Sequence, residues 1–218
     1  MSFTQYLIER CGDEWQAYTR HEFVRQLAEG TLPKECFRHY LKQDYLFLKQ
    51  YARALALAVY KSGSLAQMRE IRESLDAIIG ETQLHIAYCA EWGISEAELE
   101  REPESAAGVA YTRYVLDCGM RGTLADLFAA LAPCPVGYAD IGRHIVEHYP
   151  RVEGNPYQTW IDTYAAADFQ TAAAAAARSL DAEAQGLSDS RRQELEAAFR
   201  TATRMEAAFW QMGLDCSL

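Results

Sequence analysis

No two cysteines in this sequence stand close enough to form a CxxC pair. The six, Cys11, Cys36, Cys89, Cys118, Cys134 and Cys216, are scattered over 218 residues. That spacing argues against a zinc knuckle or a thioredoxin-type dithiol. A cation excess is missing too: 21 Lys and Arg face 31 Asp and Glu, for a formal net charge of −10. Nucleic acid and anionic membrane both require basic patches, so neither is expected as a partner. No apolar run approaches the ~20 residues of a membrane-spanning helix. The opening MSFTQYLIERCGDEW is too charged for a signal peptide. The expectation is a cytoplasmic protein with free thiols. Alternating strand patterns, internal repeats and long polar linkers are also lacking. These absences leave one all-α domain, 1–218, as the expected organisation.

What is present is helical period from end to end. Half of the residues are hydrophobic and 24% are charged, enough for a substantial core under a polar surface. A first helix is expected over 3–27, stopping at Gly30. Pro33 opens a second, running to Tyr60. Ser64 caps a third that stops at Gly93, and Ser95 with Glu98 forms a capping box. A helix over 105–120 ends at Gly122. Residues 123–149 read as one helix kinked by Pro133 and Pro135. Asn155-Pro156 starts a helix through the alanine run 172–177 to Gly186, and Ser188 or Ser190 caps the last.

Several helix faces carry chemistry-bearing groups among apolar residues. The second helix shows Phe37, Leu41, Asp44, Leu48, Tyr51 and Leu55 at spacings of three and four. The kinked helix shows Leu127, Leu131, Cys134, Tyr138, Ile141 and Ile145, and the last Leu195, Phe199, Ala202, Glu206 and Phe209. Tyr111 and Tyr114 share a face with Cys118, and Tyr157, Trp160 and Tyr164 make another. A carboxylate facing a core needs a partner, because an isolated buried charge is very costly. Arg53, Arg113 and Arg204 are available. Two readings stand open at this level. In one, these residues are ordinary core with paired carboxylates. In the other, they floor a pocket with a thiol nucleophile, a carboxyl proton donor and aromatic walls for a flat substrate. The two prolines would then bend the helix so that the thiol faces the substrate.

Five stretches decide between these readings: HEFVRQLAEGTLPKECFRHYLKQDYLFL (21–48), AYTRY (110–114), AALAPCPVGYADIG (129–142), YQTWIDTY (157–164) and MEAAFW (205–210). In this order the chain resembles the TenA, or thiaminase II, family over nearly its whole length. The resemblance implies an all-α, haem-oxygenase-like multi-helix bundle, usually a homotetramer. It implies hydrolysis of an aminopyrimidine in thiamin salvage, either thiamin or its breakdown product aminomethyl-aminopyrimidine, giving hydroxymethyl-aminopyrimidine. It makes Cys134 the nucleophile and Glu206 the proton donor. Asp44 and Tyr138 bind the substrate, and Tyr111 and Tyr164 line the pocket with Phe47. No metal or organic cofactor is implied.

The chain departs from the pattern at Phe47, where many relatives have tyrosine, and at Val136, where many have tryptophan. The same fold also hosts dimetal oxidases and pyrroloquinoline quinone synthase. Glu81 and His85 lie one turn apart, and Asp140, His144 and His148 repeat every four residues, spacings that suit a dimetal oxidase of the same fold. A non-catalytic pyrimidine-binding regulatory protein is the third reading.

Overall fold

Capping residues set most of the helix boundaries. In the computed structural model, which describes residues 1–218, Ser64, Ser95 and Ser105 each accept a backbone N–H three residues on. Ser95 and Glu98 close a reciprocal capping box. Gly30, at φ +72°, ends a helix in the left-handed region, which glycine adopts without penalty. The elements are α1 (Phe3–Arg10), α2 (Gly12–Thr19), α3 (Glu22–Glu29), α4 (Lys34–Lys61), α5 (Leu65–Glu91), α6 (Glu96–Leu99), α7 (Ala106–Arg121), α8 (Leu124–Leu131), α9 (Pro133–His148), α10 (Gln158–Ala165), α11 (Ala167–Glu183) and α12 (Asp189–Asp215). There is no strand.

Three expected helices are subdivided. The span 3–27 is three short helices, interrupted at Cys11 and again at Arg20–His21, where the His21 ring accepts the N–H of Phe23 as a cap. The span after Pro156 is cut at Ala166, whose ψ of 144° is extended. The span 123–149 is divided at Ala132. Ala132 itself keeps helical angles, φ −58° and ψ −35°. The interruption is therefore one of hydrogen bonding: Pro133 and Pro135 have no N–H for the carbonyls four residues before them. Cys134 falls in the first turn of α9.

The chain divides into two compact units. The first comprises Met1–Pro33 and Phe128–Gln211, the second Lys34–Leu127 and Met212–Leu218. In the first, α9 packs against α2, α10 and α11, and α1 against α2 and α11. Its fully buried residues include Leu7, Tyr18, Phe23, Leu27, Tyr157 and Trp210. Each such side chain is worth about 1.5–3 kcal/mol in apolar burial. Buried Asn155 ties the segment before α10 to α3: its amide donates to the carbonyls of Leu27 (3.1 Å) and Ala28 (3.2 Å) and accepts the N–H of Tyr157 (2.9 Å). In the second unit, α4 packs along α5 and α7, with α6 against both α4 and α5. Phe37, Tyr40, Leu41 and Ala58 are its buried spine. By length and composition residues 124–148 could cross a bilayer, but 67% of that stretch is buried inside the protein.

Candidate active site

The residues singled out from sequence fall into two groups, one in each unit. Cys134, Tyr138, Tyr164 and Glu206 belong to the first unit; Asp44, Phe47 and Tyr111 belong to the second.

In the first unit, α9 supplies Cys134 and, one turn on, Tyr138. The apolar residues expected beside them, Leu127, Leu131, Ile141 and Ile145, are all buried, whereas Cys134 is half-buried. Tyr138 sits in an aromatic cluster. Its ring lies 4.8 Å from Tyr164, 5.3 Å from Trp210 and 5.9 Å from Trp160. Two glycines make this packing possible. A Cβ on Gly137 would overlap the ring of Tyr18, and one on Gly142 would stand 2.5 Å from the carbonyl carbon of Tyr164. Glycine at 142 thus lets α9 approach the end of α10 and brings Tyr164 to Tyr138. Glu206 lies on α12, one turn before Trp210, and is 2% exposed. Its neighbours on that face, Phe199, Ala202, Thr203 and Phe209, are buried as well.

In the second unit, α4 carries Asp44, at 6% exposure, where a leucine would continue the stripe. The expected arginine partner is not what it has. Arg53 donates to Gln50, and Arg113 pairs with Glu104 at 2.6 Å. Asp44 faces His85 of α5 instead, with Oδ2 3.6 Å from Nδ1. Tyr40, one turn earlier on α4, hydrogen-bonds the same carboxyl. The other ring nitrogen of His85 is 2.9 Å from the Leu41 carbonyl. Burial pushes the Asp44 carboxyl above its ordinary range, and His85 and Tyr40 pull against that shift. Glu81, one turn before His85, is pushed up to about 7 by burial and then by the charge of Asp44. The Cys89 thiol is pushed up to about 12 by the same two causes. Phe47 packs on Tyr111 at 5.2 Å and on Tyr51 at 6.0 Å, so phenylalanine at this position fills an aromatic contact without offering a hydroxyl.

The pairing of Asp44 with His85 and Tyr40 was not read from the sequence. Tyr40 was detectable, since it lies four residues before Asp44 on the same helix. His85 was read as the neighbour of Glu81 and as a member of the stripe Ile78, Thr82, His85 and Cys89, but neither reading pointed to Asp44. The Trp160 and Trp210 rings lay within the recognised strings, but nothing in their spacing showed that both pack on Tyr138.

Of the candidate metal ligands, His85 and Asp140 hold other partners. Asp140 accepts Trp15 Nε1 at 2.9 Å and pairs with Arg20 and Arg143, both at 3.3 Å. His144 and His148 stack on each other at 4.2 Å. Burial and the nearby Arg20 hold the His144 ring below its ordinary value. No three His, Cys, Asp or Glu side chains gather in a metal-binding geometry. Val136 lines a surface cleft of about 430 Å³ with Trp15, Ala139 and Gln170.

Comparison with known proteins draws these features together. A Haemophilus influenzae protein named only as uncharacterized is 56% identical over 211 residues, covering 97% of this chain and 98% of its own. An aminopyrimidine aminohydrolase of Halalkalibacterium halodurans is 39% identical over 217 residues, 99% of this chain and 96% of its own. The solved structure of a TenA family transcription regulator from Silicibacter sp. TM1040 superposes with a TM-score of 0.92 at 42% identity, covering 97% and 96% of the two chains. The all-α architecture is the haem-oxygenase-like fold, shared with a Shewanella denitrificans domain at a TM-score of 0.74 and 12% identity, over 97% of this chain and 91% of that one. The model of the TENA/THI-4/PQQC family matches residues 9–216, and the chain belongs to that family.

Proposed function

We propose that this protein is an aminopyrimidine aminohydrolase. It hydrolyses aminomethyl-aminopyrimidine, and thiamin as a second substrate, to hydroxymethyl-aminopyrimidine in thiamin metabolism. The observation that carries the reading is in the first unit: a half-buried thiol one turn from a tyrosine–tryptophan cluster, in the same unit as a carboxyl that is 2% exposed. The matching activity in the name of the H. halodurans relative supports it.

The Cys134 thiolate adds to the pyrimidine ring, and the ring takes up the electron pair and a proton. Glu206 gives its proton to the exocyclic amine, which leaves as ammonia and creates an exocyclic double bond. Water then adds to that methylene, Glu206 recovering the proton, and the thiolate departs as the ring returns the proton it took up to solvent and regains aromaticity. The net change is one water consumed and one ammonia released. Asp44 takes the 4-amino group and ring nitrogen. Tyr138 binds the ring, and Tyr164, Tyr111 and Phe47 supply aromatic contact. A cytoplasmic location and a homotetramer belong to the same reading, and sedimentation tests the second.

Ammonia release from aminomethyl-aminopyrimidine is the test. Cys134→Ser should reduce it by at least about 100-fold, and Glu206→Gln by about 10²–10⁴-fold, the range for a positioned acid. Unchanged turnover in folded Cys134→Ser would end the nucleophile assignment. A protein that binds the pyrimidine without turning it over is the regulatory reading, which the name of the Silicibacter neighbour brings into view. The formal charge of −10 weighs against direct DNA binding.

A further inference from the structure

We infer that His85 is the positioning residue for Asp44, holding its carboxyl in one orientation. The inference rests on the reading that Asp44 binds the pyrimidine. A backbone carbonyl can only accept, so the 2.9 Å contact between His85 Nε2 and the Leu41 oxygen puts a hydrogen on Nε2. That fixes the tautomer and leaves Nδ1 turned to Asp44 Oδ2 at 3.6 Å, an ion-pair distance. Leu41 and Asp44 are three residues apart on α4, so the ring is held against one helix face at two points. The His85 and Asp44 side chains are 10% and 9% exposed, so bulk water competes little.

The pair has a chemical use. A 4-aminopyrimidine presents an N–H donor beside a ring-nitrogen acceptor. A carboxylate matches only the donor; a carboxyl carrying one proton matches both. With Nε2 committed to Leu41, the imidazole fixes which way the Asp44 carboxyl is turned toward the amino group and ring nitrogen. Glu81 and Cys89 are the acidic groups one turn to either side of His85 on α5. Removing the imidazole leaves the buried carboxyl to Tyr40 and free to turn.

A double-mutant cycle with product binding tests this. Hydroxymethyl-aminopyrimidine is titrated calorimetrically into wild type, His85→Ala, His85→Asn, Asp44→Asn and the His85→Ala/Asp44→Asn double variant. His85→Ala should weaken binding by about tenfold or more, the loss expected for a charge-assisted contact. His85→Asn, whose amide stands near the former Nδ1, should recover part of it. In the Asp44→Asn background, His85→Ala should add less than about twofold, because it acts through Asp44. On ¹⁵N-histidine spectra, Asp44→Asn should change the Nδ1 signal of His85 and keep the proton on Nε2. This readout does not depend on His85→Ala folding. Additive losses, no loss in His85→Ala, or an unmoved Nδ1 signal overturns the inference and leaves the hydrolase reading standing. A wild type that neither binds nor turns over any aminopyrimidine overturns both.

Discussion

Gly142→Ala tests how the first unit brings Tyr164 to Tyr138. The added methyl group would stand 2.5 Å from the Tyr164 carbonyl carbon, 2.6 Å from its oxygen and 2.7 Å from the Ala165 nitrogen. Carbon contacts settle near 3.5–4.0 Å, so the end of α10 must retreat by about 1 Å. These are backbone atoms, and Gln170 holds them: its amide donates to the Tyr164 carbonyl at 2.8 Å and to the Ala139 carbonyl at 2.9 Å. Overpacking of this kind costs about 1–3 kcal/mol. Alanine returns about 1 kcal/mol as the better helix former. The net loss, taking the upper half of the range for a backbone clash, is about 1–2 kcal/mol, a fall in melting temperature of about 2–8 °C for a chain this size. Gly80→Ala is the paired control. Gly80 is also inside a helix, α5, and a Cβ there meets nothing within 4 Å. It should gain up to about 1 kcal/mol and melt about 2–4 °C higher. Calorimetric melts of both variants make the comparison. If Gly142→Ala rises with Gly80→Ala, the close approach of α9 to α10 is wrong. A displacement of Tyr164 by about 1 Å should also lower turnover by about 100-fold if it touches substrate.

Glu81 gives a pH-dependent outcome. Its folded pKa of about 7 lies above the ordinary 4.5, so the folded state holds the proton more tightly, and stability falls as pH rises from about 4.5 to about 7. Glu81→Gln should therefore leave stability near pH 4 unchanged and raise it at pH 8 by up to about 3 kcal/mol, read by urea melts at the two pH values. Thiol reactivity should divide the cysteines. Exposed Cys216 should react first with an aromatic disulfide reagent, followed by half-buried Cys134. Cys11 and Cys89, buried and pushed up to about 11 and about 12, should stay silent until the protein is unfolded. Early labelling of Cys89 in a mass-resolved time course would contradict that burial.

Elements with a chemical boundary marker were legible. Pro33, Ser64, Ser95, Ser105 and Gly122 delimit α4 to α7. The break at Cys11 stands beside Gly12, whereas those at Arg20 and Ala166 carry no proline or glycine, and the side-chain partners found there are not ones that local pattern shows. Arg20 pairs with Asp140, 120 residues away. The Tyr164 carbonyl, freed where α10 ends, is taken by the side chain of Gln170. Pro133 and Pro135 mark a place where a hydrogen-bond ladder loses two donors, but they did not show that Ala132 keeps helical angles between the two segments.

The same distinction explains what was legible of the site. Period within one helix sorts residues onto faces, so Asp44 and Glu206 stood out as carboxyls where an apolar residue was due, and both are buried. Which face meets which depends on the register between helices, and a shift of one turn, 5.4 Å, changes every partner. Asp44 shows the consequence. Three arginines were on offer in the sequence, and a long flexible cation is the usual answer for a buried acid. The packing of α4 on α5 instead presents a histidine whose far nitrogen is already committed to α4 itself. An arginine there would have locked Asp44 as a permanent carboxylate, because guanidinium does not give up its proton at any ordinary pH. Histidine instead stands 3.6 Å from Asp44 Oδ2 on a ring anchored to the same helix through the Leu41 carbonyl.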